Sequence, residues 1–109
     1  MERRITTYGG YFEEFIAALD AKVRRKIYYG LDLLKFQDIV SRKFVKYLRD
    51  GLFELRTEWE GNIYRVFFIL DGDSIVVLFN GFQKKTQKTP EKEIIKALRI
   101  KKEYYDGRR

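Results

Sequence analysis

The chain contains neither cysteine nor histidine. Without cysteine there is no disulfide framework, no zinc–cysteine cluster and no thiol nucleophile. Without histidine, His-based triads and His metal sites are excluded, and the commonest general base at neutral pH is missing. Proline occurs once, at Pro90. No purely apolar run is longer than Val66–Leu70, far short of the ~20 residues that a membrane-spanning helix needs. The opening residues are charged and no apolar stretch follows them, which is not the pattern of a secretory signal. A reduced, cytoplasmic protein with no membrane partner is the default expectation.

What remains suits one domain over residues 1–109. Hydrophobic residues make up 45% of the chain and aromatics 17%, enough for a packed core. Lys and Arg number 23 against 16 Asp and Glu, a net charge of +7. The excess is uneven. Residues 84–109 hold ten basic and four acidic side chains, whereas residues 54–83 hold two and five. A basic end of this kind favours polyanionic partners. A solvated basic helix with no ligand is the plain alternative.

The apolar pattern predicts the elements. Ile5–Tyr8 is a short β-prone piece closed by Gly9-Gly10. Phe12, Phe15, Ile16, Leu19, Val23, Ile27, Leu31 and Leu34 recur at spacings of three and four, as in one long amphipathic helix. Its other face carries Lys22, Arg25 and Lys26. A shorter helix is expected from about Ser41 to Arg49, stopped by Asp50-Gly51. Three strands follow, Leu52–Trp59, Ile63–Leu70 and Ser74–Phe82, as an antiparallel meander. Thr89 as N-cap and Pro90 at the first helical position begin a terminal helix reaching about Tyr105. The class is α+β.

Alternation in the first long strand sends Phe53, Leu55, Thr57 and Trp59 one way and Leu52, Glu54, Arg56 and Glu58 the other. Taking Gly61-Asn62 as the two-residue turn pairs Leu55 with Phe68, Thr57 with Val66 and Trp59 with Tyr64. On the other face it pairs Glu58 with Arg65 and Arg56 with Phe67. Arg56 and Arg65 then share a face as diagonal neighbours, ~7–8 Å apart. Val76, Leu78, Asn80 and Phe82 are expected on that face too, with the helices covering the opposite one.

Candidate chemistry concentrates in two places. Lys84, Lys85 and Lys88 lie where the last strand leaves the sheet, and Thr86 and Gln87 between them can bond sugar or base. Arg56 and Arg65 can hold phosphate oxygens in their guanidinium forks. Structural alternatives are a solvated loop for the lysines and cross-strand ion pairs with Glu54 or Glu58 for the arginines. Tyr104 and Tyr105 can stack on a base or pack in the core. No Gly-rich phosphate loop, metal-ligand cluster or nucleotide fingerprint is present.

Three segments carry a family resemblance: Tyr47–Arg56, Asn62–Val66, and Phe82–Pro90 with its Lys-Lys-Thr-Gln-Lys-Thr-Pro run. Together with the element order, they resemble the RelE/ParE superfamily of toxins from toxin–antitoxin operons, and most closely its phage-derived HigB-like branch, over roughly residues 5–105. The resemblance implies a RelE-like fold and a small cytoplasmic toxin that cleaves mRNA, typically on the ribosome, with no cofactor, metal or small-molecule ligand. It also implies a cognate antitoxin, often of helix-turn-helix type. By residue type and place, Arg65, Lys84 and Lys85 correspond to catalytic positions. Arg56, Lys88 and, more loosely, Tyr104 correspond to substrate-binding ones, and Thr86 and Gln87, by their own hydrogen-bonding chemistry, are expected to bind substrate beside them. The histidines of the family site have no counterpart, leaving Glu54, Glu58 or a lysine of lowered pKa as candidate bases. A ParE-like gyrase inhibitor and a non-catalytic nucleic-acid-binding regulator stay open as alternatives.

Overall fold

The computed structural model describes residues 2–85 and 88–108. Five strands form one sheet: β1 (Arg4–Thr7), β2 (Val45–Arg49), β3 (Leu52–Trp59), β4 (Asn62–Asp71) and β5 (Ile75–Lys84). Helices α1 (Tyr11–Ala17) and α2 (Ala21–Phe36) follow β1, and α3 (Glu91–Asp106) follows β5. The strand order is β1-β5-β4-β3-β2. Only β1 joins in parallel, on β5, and the other pairings are antiparallel.

The N-terminal apolar stripe is divided between two helices rather than carried by one. Asp20 makes the break. It sits in extended backbone and its carboxylate accepts from the Lys22 amide at 3.3 Å, capping a new helix. Both helices bury the stripe on the same sheet face, so the periodicity survives the interruption: Phe12, Ile16, Val23, Ile27, Leu31 and Leu34 pack with Leu55, Val66, Phe68, Val76 and Leu78. Gly30 lets α2 approach closely, since a Cβ there would meet the Leu55 side chain at 3.2 Å.

The expected short helix from about Ser41 to Arg49 does not form: residues 42–44 make a turn and Val45–Arg49 is strand β2. Asp50 and Gly51 both have positive φ, the geometry of a two-residue hairpin turn and not of a helix stop. The turn folds β2 back onto β3, with Val45 opposite Leu55 and Lys46 opposite Glu54. The same chemistry closes the next hairpin. Glu60 and Gly61 have φ of 50° and 79°, so the turn is Glu60-Gly61 and not Gly61-Asn62. Glycine is favoured second in this turn, as in Asn-Gly. The register therefore lies two residues from expectation, pairing Leu55 with Val66, Thr57 with Tyr64 and Trp59 with Asn62. A slip of two preserves which face each side chain takes.

The opposite face is covered as well. Helix α3 lays Ile94, Ala97 and Ile100 on Leu52, Phe67, Ile69, Val77 and Phe79, so the apolar part of this face needs no external partner. Val76 and Leu78 belong to the α1–α2 side, against expectation. A register shift between Val66 and Phe68 explains the rest. An extra residue in β5 reverses the alternation beyond it, so Phe82 stands opposite Arg65 and Lys84 opposite Ile63. The bulge is what brings Lys84 to the arginine face. Helix α3 starts at Glu91, with Pro90 at the cap position making no side-chain cap bond.

Beside the bulge, Gly81 accommodates α1. A Cβ there would overlap the Cδ2–Cε2 edge of the Phe15 ring. Gly81→Ala is expected to cost about 1–3 kcal/mol, read as a lower urea midpoint at unchanged slope.

Candidate nucleic-acid interface

Arg56 and Arg65 are direct cross-strand partners, with Cβ atoms about 5 Å apart on the sheet geometry. Two like charges so placed repel unless an anion lies between them. Glu54 supplies one: its Oε2 is 3.4 Å from Arg56 Nε and 3.5 Å from Arg65 Nε. Arg65 and Glu54 are 3% and 1% exposed, and Arg56 is half-buried. The pairing with Glu58 proposed for Arg65 does not form; Glu58 faces Ile63. The other Glu54 oxygen accepts from the Thr89 hydroxyl at 3.2 Å. Thr89 thus ties the start of α3 to the arginine pair instead of capping the helix.

Arg65 is held but not saturated. Its Nη1 donates to the Tyr64 carbonyl at 3.0 Å, whereas its buried Nε completes no hydrogen bond. Arg56 Nη1 donates to the Arg42 carbonyl at 3.3 Å. Lys84, 9% exposed, joins the group electrostatically. Burial first, and then Arg65, Arg56 and Lys46, hold its ammonium below the ordinary lysine value, partly offset by Glu54. Arg65 is likewise lowered by burial and by Arg56, and raised by Glu54 and Glu58. Two guanidinium groups thus contact one buried carboxylate, Lys84 and Lys46 add to the field, and even with Glu58 nearby the group keeps a net positive charge. Such a field favours an anion.

A cleft of about 460 Å³ opens beside the group. Arg56, Thr57, Glu58 and Arg65 line it from the sheet, Lys26 and Tyr29 from α2, and Lys43 and Phe44 from the turn before β2. Among the described residues there is no cluster of three or more carboxylates suited to a metal ion, and no helix is long and apolar enough to cross a membrane.

Of the expected site residues, Arg56, Arg65 and Lys84 come together. Lys85 and Lys88 are exposed on either side of the segment entering α3; Thr86 and Gln87 lie outside the described residues. Tyr104 is not brought to the group. Its hydroxyl donates to Asp71 Oδ2 at 2.6 Å, and Asp71 ends β4, six residues beyond Arg65 and roughly 20 Å along the strand. The Tyr104 ring packs edge-on against Tyr8, and its pKa is raised chiefly by the Asp71 bond. Tyr104→Phe should cost about 1–2 kcal/mol at pH 7, read as a lower urea midpoint, while leaving the arginine group intact. With the folded pKa raised, this contribution is complete below the free tyrosine pKa and fades as pH rises through the folded one.

Sequence reasoning missed Lys46, Lys43, Phe44 and Tyr29 as site residues. Assigning residues 41–49 to a helix hid the first three. The Asp50-Gly51 pair between β-prone runs was the available signal.

In three dimensions the chain is similar to the archaeal RelE–RelB complex from Pyrococcus horikoshii OT3. The match has 19% identity and a TM-score of 0.55, and it covers 74% of this chain and 93% of that chain. The fold is therefore RelE-like, an α+β arrangement with a five-stranded sheet. In sequence, residues 14–102 match the family described as Phage derived protein Gp49-like (DUF891), and the chain belongs to that family. No curated protein matches it.

Proposed function

We propose that this chain is the toxin of a type II toxin–antitoxin pair, of the HigB-like branch, and that it cleaves mRNA on the ribosome without a metal ion. The observation that carries this reading is the gathering of Lys46, Arg56, Arg65 and Lys84 around a single carboxylate beside an open cleft. RNA brings its own nucleophile, so the protein needs chiefly to orient the phosphodiester and stabilise its charge. In this mechanism Arg65 and Arg56 hold the non-bridging oxygens. Neutral Lys84 takes the proton of the 2′-hydroxyl as that oxygen attacks phosphorus, and the bond to the 5′-oxygen breaks. Lys46 is the candidate to return a proton to the leaving oxygen. Lys85 and Lys88, with Thr86 and Gln87, bind the flanking strand.

The partners are mRNA, the ribosome and a cognate antitoxin of helix-turn-helix type, and the compartment is the cytoplasm. The structural neighbour is a RelE–RelB complex, a RelE-like chain with a second protein, and this supports an antitoxin here. Expression in a translating extract tests the proposal. Shortened mRNA with ends in register with ribosome position supports it. Intact mRNA with loss of DNA supercoiling would transfer the assignment to a ParE-like gyrase inhibitor, and neither effect would leave a non-catalytic binder.

Lys84 gives a pH test. Its neutral fraction grows as pH rises, so cleavage should climb with pH and level off at a pH below the free lysine value. Lys84→Arg should keep RNA affinity, lower the rate by about 10²–10⁴-fold and remove the rising limb. A Lys84→Arg enzyme with the wild-type pH profile would discard Lys84 as the base.

A further inference from the structure

We infer that the exposed stripe of α2, together with Trp59, is a second subsite. It carries single-stranded RNA flanking the cleaved phosphodiester and seats one unpaired base against the indole ring. The inference rests on the RNA-cleaving reading of the main cleft and extends it across a surface that reading does not use.

Lys22, Arg25, Lys26 and Tyr29 follow the i, i+3, i+4, i+7 spacing and so form one helix face, and all four are exposed. With Trp59 they line a hollow of about 220 Å³. Lys26 and Tyr29 also line the main cleft, so the two hollows adjoin. The ion pairs among the described residues engage other cations, which leaves this stripe with uncompensated positive charge.

The rings are arranged for stacking. Lys26 Nζ stands 5.9 Å from the Trp59 ring centroid. Tyr29, 54% exposed, meets Phe44 edge-on with centroids 6.1 Å apart, leaving it open to a ligand. Cations that follow a backbone, interleaved with flat aromatic surfaces, are what sequence-tolerant recognition of a single strand requires. The bases must be unpaired to reach those rings. An acidic protein would match the charge but would make less use of the exposed Tyr29 ring and the half-buried Trp59 indole, which packs against the core from its inner side.

Trp59 is the only tryptophan, so its fluorescence reports this subsite alone. The full-length protein is titrated with 2′-O-methyl oligonucleotides, whose blocked 2′-oxygen prevents cleavage. One is a trinucleotide for the main cleft, and the other is about ten nucleotides long, within the range of single-strand sites. The longer strand should quench Trp59 and bind at least about tenfold more tightly, with the steeper salt dependence of extra phosphate contacts. In Lys22→Ala/Arg25→Ala, which keeps the cleft-lining Lys26, affinity for the longer strand should fall toward the trinucleotide level, the salt slope should drop by about 1.4, and trinucleotide affinity should not change. Replacing the quenching nucleotide by an abasic one should restore fluorescence.

If the longer strand binds no more tightly than the trinucleotide and leaves Trp59 unquenched, the subsite is overturned while the main cleft stands. The α2 stripe is then left to an acidic protein partner. If neither strand binds the wild-type protein, the main-cleft reading falls and the subsite with it.

Discussion

Under the RNA-cleaving proposal, Arg65→Lys should fold and yet lose two to three orders of magnitude in cleavage rate, the usual effect of removing a preorganised donor to a developing oxyanion. Lysine keeps the positive charge facing Glu54, but it cannot present the planar pair of donors that a guanidinium offers to phosphate oxygens. The substitution therefore separates charge from geometry at a position that is 3% exposed. Arg65→Ala should lose at least as much activity and should also be less stable, because Glu54 then loses one of its two guanidinium contacts. Mapping RNA ends in a translating extract, alongside a urea melt, reads both effects. A well-folded Arg65→Lys protein that cuts at the wild-type rate would remove Arg65 from the site.

Glu54→Ala should give the largest stability change, about 3–5 kcal/mol, the loss expected when a buried ion pair is deprived of one member. Arg65 would be left buried without a counter-charge, facing Arg56 across the strands, with Lys46 and Lys84 on the same patch. Thr89 would also lose the acceptor that anchors the start of α3. Glu54→Gln should suffer less, because an amide oxygen can still accept from Thr89. Both variants should be partly rescued by inorganic phosphate, which fills the vacated anionic role and stabilises whichever state binds it. For the same reason Glu54→Gln should bind RNA more tightly than wild type, since the internal competitor for the guanidinium groups is gone. A melting temperature unchanged in Glu54→Ala would show that the carboxylate does not hold the arginines.

The meander, the terminal helix and the shared face of Arg56 and Arg65 were legible in the sequence because they follow from period-two alternation and a proline-led helix start. What was illegible depended on turns and on pairing. Asp50-Gly51 terminates a helix or closes a hairpin equally well on paper, and only the partner strand decides. Pairing with β3 placed Lys46 opposite Glu54, a juxtaposition that no local pattern encodes. Asp20 could have been recognised as a cap, but the apolar stripe runs on through it because α1 and α2 bury the same side of the sheet. The bulge in β5 was hidden for a similar reason. One extra residue costs nothing in composition, yet it decides whether Lys84 faces the arginines or the opposite layer. Glu54 was weighed as a base and as an ion-pair partner, but its role as the centre of the group required the register.

The parallel joint between the first strand and the last one has a bearing on assembly. Arg4 pairs with Ile75 and Thr7 with Leu78, so β1 finds its mate only once the chain as far as β5 exists. Contacts so distant along the chain slow the search for the native state, whereas the hairpins from β2 to β5 need only their neighbours. The central meander should therefore form first and act as a template, with the amino-terminal strand docking late as the seal of an already built sheet.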